Sequence, residues 1–347
     1  MLTIDGSFGE GGGQIVRSSL ALALVTGRPF VIDNIRARRQ KPGLRQQHLT
    51  AVRAAAEVGQ AEVRGAKVGS SRLDFRPARV VPGAYRFDVG TAGSTTLVLQ
   101  TVLPALLVAT GESTIDLQGG THNPFAPPFD FLAEAYLPLV NRLGPQVTAR
   151  LERPGFYPAG GGRFRVQVRP QPQLGRLELS ERGAIRRRRV TALIARLARH
   201  IGERECRTIA ELTGWDEREM EVVEIDDSPG PGNAVLIELE FEHLTEVFVG
   251  FGQRGVRAET VAQRAAQAAL GYLDAGVPVG EHLADQLLLP LAIAAHLGPG
   301  GGVFRTTHLS LHSTTHIGLL EKFMDLSITT EQLGENDYLV RVERGGG

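Results

Sequence analysis

The chain has 347 residues, 42% hydrophobic and 22% charged, which suits a sizeable buried core and, by length, about two domains. Lysine plus arginine and aspartate plus glutamate number 38 each, so no bulk charge draws the protein to nucleic acid or to a membrane surface, and any basic site must be local. The single cysteine, Cys206, excludes an intrachain disulfide framework and fits a reducing compartment; MLTIDGSFGEGGG lacks the basic and apolar regions of a signal peptide and no apolar run reaches membrane-spanning length, so a cytoplasmic location is expected.

Near the N-terminus, FGEGGGQ is rich in glycine but lacks the Lys-Ser/Thr of a Walker A loop and the spacing of a dinucleotide fingerprint. It reads either as a plain turn or as a place where backbone approaches a phosphate, with Glu10 available to a hard cation. An apolar helix follows, RSSLALALVTG from Arg17, then the strand-like PFVIDNIRA and the run RARRQKPGLRQQH. That run holds Arg36, Arg38, Arg39, Lys41 and Arg45, then Gln47 and His48, at a strand-to-helix junction. Guanidinium forks and a helix N-terminus there suit phosphate binding, with a solvated surface turn as the plain alternative.

The order then repeats. QTVLPALLVATG from Gln100 is followed by STIDLQGG and the amphipathic FLAEAYLPLVNRLG; QLLLPLAIAAH from Gln286 is followed by VFRTTHLSL and IGLLEKFMD. Each apolar helix has Leu three residues after its first position, and Pro104 and Pro290 fall inside the second and third, where each removes a backbone hydrogen bond and should bend the helix. The fold class predicted is α+β built from α/β-type repeats: a large domain of three βαβαββ-like units with a smaller α+β domain inserted in the third. The large domain is expected over 1–183 plus 277–347, with repeats at about 1–80, 81–154, and 155–183 with 277–347. The insert is expected over 184–276. GRFRVQVRP, after the turn YPAGGG, reads as the first strand of the interrupted unit, and IRRRR at the insert boundary as a solvated linker. Periodicity leaves the strand order of the insert open.

Arg17, Gln100 and Gln286 occupy equivalent positions in the three units, so they are expected to converge on one cleft unless each merely caps backbone. HLSLHSTTH places His308, His312 and His316 four apart, as a zinc-binding helix would. VFRTTHLSLH nevertheless alternates as a strand, with Ser313, Thr314 or Thr315 as candidate N-cap of a following helix, so a helical zinc trio is not expected. That reading sets His312 at a strand end just before a helix N-terminus, a position that holds anions.

Taken together, DGSFGEGGGQIVRSSLALALVTG, IRARRQKPGLRQQHLTAV, GSTTLVLQTVLPALL, GGTHNPFAPPFDF, GFYPAGGG, GEHLADQLLLPLAIA and LSLHSTTHIGLLEKF resemble the RNA 3'-terminal phosphate cyclases, in the right order over nearly the whole chain. The resemblance implies ATP-dependent conversion of an RNA 3'-phosphate to a 2',3'-cyclic phosphodiester through a histidyl-AMP, with His312 as the nucleophile. It implies ATP and Mg2+ or Mn2+ as cofactors and RNA with a 3'-phosphate end as partner, with no membrane. Gln100, Pro127, His282, Leu283, Ala284, Asp285 and Gln286 match the family's adenylate-binding positions, and Glu10 its metal-contacting carboxylate. Arg17, Arg36, Arg39, Gln47 and His48 match polar positions lining the phosphate and RNA-end site. Two residues depart from the pattern: His282 stands where the family often has a stacking tyrosine, and His316 where asparagine is common. The competing readings are a non-catalytic cyclase-like RNA-processing or ribosome-assembly factor and, more remotely, a metal hydrolase using the three histidines.

Overall fold

The computed structural model describes residues 1–346. The first unit runs β1 (Leu2–Asp5), α1 (Gly13–Thr26), β2 (Phe30–Asp33), α2 (Gln46–Val58), β3 (Glu62–Arg64) and β4 (Leu73–Arg76), with β1 parallel to β2 and the sheet ordered β1-β2-β4-β3. The second runs β5 (Ala84–Asp88), α3 (Thr95–Leu106), β6 (Ser113–Gly119), a π-helical turn at Phe131–Tyr136 continuing into α4 (Leu137–Asn141), β7 (Gln146–Arg153) and β8 (Gly162–Arg169); its order is β5-β6-β8-β7. The third opens on β9 (Arg176–Leu179).

Between β9 and the rest of the third unit comes a fourth sheet. Its elements are β10 (Ile185–Ala195), α5 (His200–Thr213), β11 (Met220–Ile225), β12 (Gly232–Phe241), β13 (Thr245–Phe251) and α6 (Ala258–Ala275), ordered β11-β10-β12-β13. IRRRR is not the solvated linker expected but the start of β10, exposed over 185–187 and half-buried at Arg188 and Arg189, where Arg187 and Arg189 pair with Glu240 and Glu238 on β12. The third unit then resumes with α7 (Glu281–Leu297), β14 (Gly301–Thr306), α8 (Leu311–Phe323), β15 (Leu326–Gly334) and β16 (Asp337–Arg344), giving the order β9-β14-β16-β15. All three repeated sheets thus share one topology, with a parallel first pair joined by a helix and two antiparallel returns.

Two further expectations are corrected. GRFRVQVRP does not open the third unit: it is β8, hydrogen-bonded antiparallel to both β6 and β7, and the opening strand is the shorter RLEL of β9, parallel to β14. A return strand and an opening strand carry the same alternation, and only pairing across the sheet distinguishes them. The strand after α7 ends at Thr306, and the N-cap of α8 is Ser310, not residues 313–315. Its hydroxyl accepts from the Ser313 backbone N–H at 3.1 Å, and Leu311, whose alternation suggested a strand, is exposed. His312 and His316 therefore share a helix face while His308 lies outside the helix.

The repeat-initial helices meet at the centre. α1, α3 and α7 are buried along almost their full length, with Leu20, Leu22, Leu99, Val102, Leu287 and Leu291 in one continuous core. Both prolines are tolerated inside their helices, Pro104 two residues before the end of α3 and Pro290 mid-way along α7. Helices packed from all sides derive their stability from that packing more than from intrinsic propensity. This arrangement brings the N-terminal turns of α1, α7 and α8 together.

Candidate active site

The site is built from these three helix N-termini. Gln14, in the first turn of α1, donates through Nε2 to Asp285 Oδ1 at 2.8 Å, which fixes its amide orientation because a carboxylate can only accept. The amide oxygen therefore faces His312 on α8, 3.0 Å from Nδ1. That contact requires the proton on Nδ1, so His312 Nε2 keeps its lone pair. The ring is exposed, leaving that nitrogen open to a ligand.

On the other side of Asp285, Gln286 Nε2 reaches Oδ2 at 3.3 Å, and the Gln286 amide oxygen accepts from Gln100 on α3. Two of the equivalent repeat positions are thus joined directly. Arg17, the third, lies close enough for Asp285 to oppose the loss of its charge, but burial still lowers its pKa to about 10, and its Nε is enclosed with no protein partner. His316 is buried, sharing a hydrogen bond with Ser18 Oγ at 3.2 Å and holding Nδ1 3.6 Å from Asp285 Oδ1. Burial pushes the Asp285 pKa up, but the neighbouring His316, Gln14 and His312 outweigh it, and the carboxyl sits below its ordinary value.

A narrow pocket between α3 and α7 is lined by Leu99, Gln100, Pro127, Phe131, Leu132 and Gln286. Pro127 is held by its own carbonyl, which accepts from Thr96 Oγ1 at 2.7 Å. Leu283 and Ala284 are buried, so their side chains belong to the core, whereas His282 is exposed on the first turn of α7.

The basic run divides in two. His48 Nδ1 accepts from the Arg45 N–H at 3.1 Å, capping α2, and its Nε2 faces Gly13 beside the Arg17 guanidinium: a Cβ on Gly13 would lie 2.3 Å from the one and 2.9 Å from the other. Burial first, then Arg17, Arg36 and Arg45, press the His48 pKa down to about 3, so it stands neutral with Nε2–H turned to the site. Gln47 accepts from Ser94 N at the start of α3, 3.1 Å away. Arg39 forms an ion pair with Glu10, whose other carboxylate oxygen is enclosed without a protein partner, and Thr315 Oγ1 on α8 accepts from the Glu10 N–H at 3.1 Å. Arg36 turns elsewhere, donating to the carbonyls of Lys41 and Gly43 at 2.7 and 2.9 Å and so bracing its own loop. Among the described residues no three His, Cys, Asp or Glu side chains converge as a metal cage.

Comparison with known proteins decides the family. The profile described as RTC: RNA 3'-terminal phosphate cyclase matches residues 8–330. A protein named RNA 3'-terminal phosphate cyclase from Koribacter versatilis is 47% identical over 99% of this chain and 94% of its own length. Proteins of the same name from Ralstonia nicotianae and Ectopseudomonas mendocina are 49% and 46% identical, over 96% and 98% of their lengths. The chain belongs to the RNA 3'-terminal phosphate cyclase family. It is an enzyme of the ligase class to which those relatives belong. A solved enolpyruvyl transferase, NikO from Streptomyces tendae, covers 99% of the chain at 12% identity with a TM-score of 0.37, too slight a likeness to bear on function. No helix of the described cyclase is long and apolar enough to cross a membrane.

Sequence reasoning missed Gln14 and Ser18, and took Thr315 only for a possible helix cap. The only local sign of Gln14 was a polar residue directly after the glycine run, since its partners lie 271 and 298 positions away. Glu246 on β13 was missed too. It is 2% exposed, and its Oε1 accepts from the N–H of Gly280, the residue that caps α7, at 2.6 Å, linking the fourth sheet to the helix carrying Asp285. Burial raises its pKa from 4.5 to about 8, against the opposing N–H bonds of Gly280 and Val247. Between those values the folded chain keeps a proton that the unfolded chain releases, so this residue makes stability fall as pH rises, by roughly 1.4 kcal/mol per pH unit. Below the lower value both states are protonated and its contribution is flat. Urea unfolding of Glu246→Gln should lose that slope relative to the parent protein; equal slopes would show that Glu246 ionises normally.

Proposed function

We propose that this enzyme uses ATP to convert an RNA 3'-phosphate into a 2',3'-cyclic phosphodiester, passing AMP through His312. The observation that supports it is the relay Asp285–Gln14–His312, which holds Nδ1 protonated and leaves Nε2 as an exposed, oriented nucleophile. Nε2 attacks the α-phosphorus of ATP, forming a P–N bond as the bond to pyrophosphate breaks. Positive charge then develops on the imidazole, where the Gln14 amide oxygen, polarised by Asp285, stabilises it. An oxygen of the RNA 3'-phosphate next attacks the same phosphorus and releases His312, leaving AMP joined to the RNA end. The adjacent 2'-hydroxyl finally attacks the 3'-phosphorus, AMP departs, and the hydroxyl proton is given up to a base or water.

The remaining roles follow. Gln100, Pro127 and the stretch from His282 to Gln286 hold the nucleotide, with the His282 ring as an exposed stacking surface; Leu283 and Ala284 serve through their backbone. Arg17, Arg39, Gln47 and neutral His48 hold phosphates, and Arg36 shapes the loop that presents Arg39. The site also fits a divalent cation such as Mg2+ or Mn2+, since Glu10 offers a buried carboxylate oxygen without a protein partner and such ions complete their shell with substrate phosphates and water. When bound, the ion would neutralise phosphate charge. We read residues 1–183 with 277–347 as the catalytic domain, 184–276 as the insert, and the cytoplasm as the location.

Incubation with α-labelled ATP and magnesium tests the reading. Acid-labile, alkali-stable label on the protein, chased onto a 3'-phosphorylated RNA, is expected. An unlabelled protein that still binds nucleotide would overturn it in favour of a non-catalytic RNA-binding role.

A further inference from the structure

The three repeated sheets have the same strand order, so their outward faces can be compared within one chain. On the first, Asp5, Asp33, Glu62 and Asp74 face Arg64 and Arg76. On the third, Arg176, Arg305 and Arg341 meet Glu178, Asp337 and Glu343. The second is different: of Arg86, Arg150, Arg163, Arg165 and Arg169, the last three pair with Glu152, Asp116 and Glu112, and Asp88 lies at the edge, which leaves Arg86 and Arg150 as cations without a carboxylate.

Four of these stand in one cross-strand row, Arg86, Asp116, Arg165 and Arg150, directly opposite one another in register. Asp116 gives both oxygens to Arg165, at 2.6 and 3.0 Å. Among the described residues Arg86 and Arg150 have no ion-pair partner, and the one carboxylate of the row, Asp116, is taken up by Arg165, so two of the three cations in the row are free to meet an external anion. Arg86, Arg150 and Arg165 are exposed.

The face runs up to the active site. Its end row, Gln118 with Arg163, adjoins Gly119 and Gly162, beyond which lie the loops bearing Phe125 and Tyr157. These aromatics are 102% and 68% exposed, and Phe125 holds a left-handed φ of 65°, rare for a bulky residue. The bridge His122–Phe156 holds the two loops together, and Asn123 donates to the carbonyl of Ala92, two residues before the Ser94 that Gln47 engages. Pro127 of the nucleotide pocket lies on the same loop as Phe125.

A basic face leading from exposed aromatics suits single-stranded nucleic acid, with arginines on phosphates and rings stacked on bases. We infer that the open face of the second sheet, with Phe125 and Tyr157 at its upper edge, carries the single-stranded RNA upstream of the reacting 3'-end. This rests on the RNA reading above and assigns the body of the substrate to a surface outside the catalytic network.

The test is equilibrium binding of an RNA of about 20 nucleotides ending in a 3'-hydroxyl, which needs no chemistry. Arg86→Gln with Arg150→Gln should weaken it roughly tenfold at low salt and make the log–log salt slope shallower by about 1.4, two phosphates' worth. Phe125→Ala should weaken it about fivefold or more. Labelling of His312 by ATP and turnover of a dinucleotide 3'-phosphate should stay within about twofold, because those reactions use the network alone. Unchanged affinity in both variants overturns the inference, as it would if the face served an acidic protein instead. Absence of label on the parent protein would refute the catalytic reading, a separate result from the binding curve.

Discussion

His312→Ala is expected to leave no label from α-labelled ATP and to lower cyclisation by on the order of 10⁴-fold or more, because on the proposed mechanism it removes the covalent nucleophile and so eliminates the route rather than slowing it. Folding should be little affected. The ring is exposed and its one protein bond is to Gln14, which keeps its stronger partner Asp285. The fair control is nucleotide binding, since Gln100, Pro127 and Gln286 line their pocket without help from His312. A variant that binds ATP normally, takes no label and cyclises nothing fits the relay. Retained cyclisation would place the nucleophile elsewhere, and His316 is a poor substitute because it is buried against Ser18 and Asp285.

The parts legible in the sequence were those written in local periodicity. Leu at a constant offset in three apolar helices, each before a strand and a second amphipathic helix, revealed the repeats, because a helix buried on all sides must be apolar wherever it occurs. What escaped depends on pairing. RLEL of β9 is four residues long and meets β14 only after more than a hundred intervening residues, so the longer GRFRVQVRP took its place. The same limit hid the insert's order, in which β10 lies parallel to β11 and antiparallel to β12. At the site, Gln100 and Gln286 were legible as equivalents by repeat position and are joined side chain to side chain. Gln14 was not, since nothing within its own helix distinguishes an amide that orients a distant imidazole from one that caps a turn. Ser310 outcompeted the later hydroxyls as cap because its side chain reaches the Ser313 N–H while the strand has already ended at Thr306.

Asp285→Ala should be the second most damaging change, lowering the rate of labelling roughly 10²-fold or more while leaving the nucleophile in place. Asp285 accepts from Gln14 and from Gln286, and His316 lies beside it. Without it the Gln14 amide is free to turn, so its NH2 can face His312 Nδ1 and stabilise the tautomer whose proton sits on Nε2, the nitrogen proposed to attack. The imidazolium formed during attack also loses the carboxylate that polarises its amide partner. Arg17 loses the charge that opposes its deprotonation, although its pKa near 10 is held there chiefly by burial and it stays cationic at neutral pH. A purely structural role would lower both nucleotide affinity and thermal stability and leave the labelling rate at saturating ATP intact. Orientation predicts the reverse emphasis, a fall in the saturated rate larger than any rise in KM for ATP. Asp285→Asn separates the two further: its side-chain oxygen can still accept from Gln14, so it should recover part of the lost rate, and an asparagine variant as slow as the alanine one would mean that negative charge, more than amide orientation, is what His312 requires.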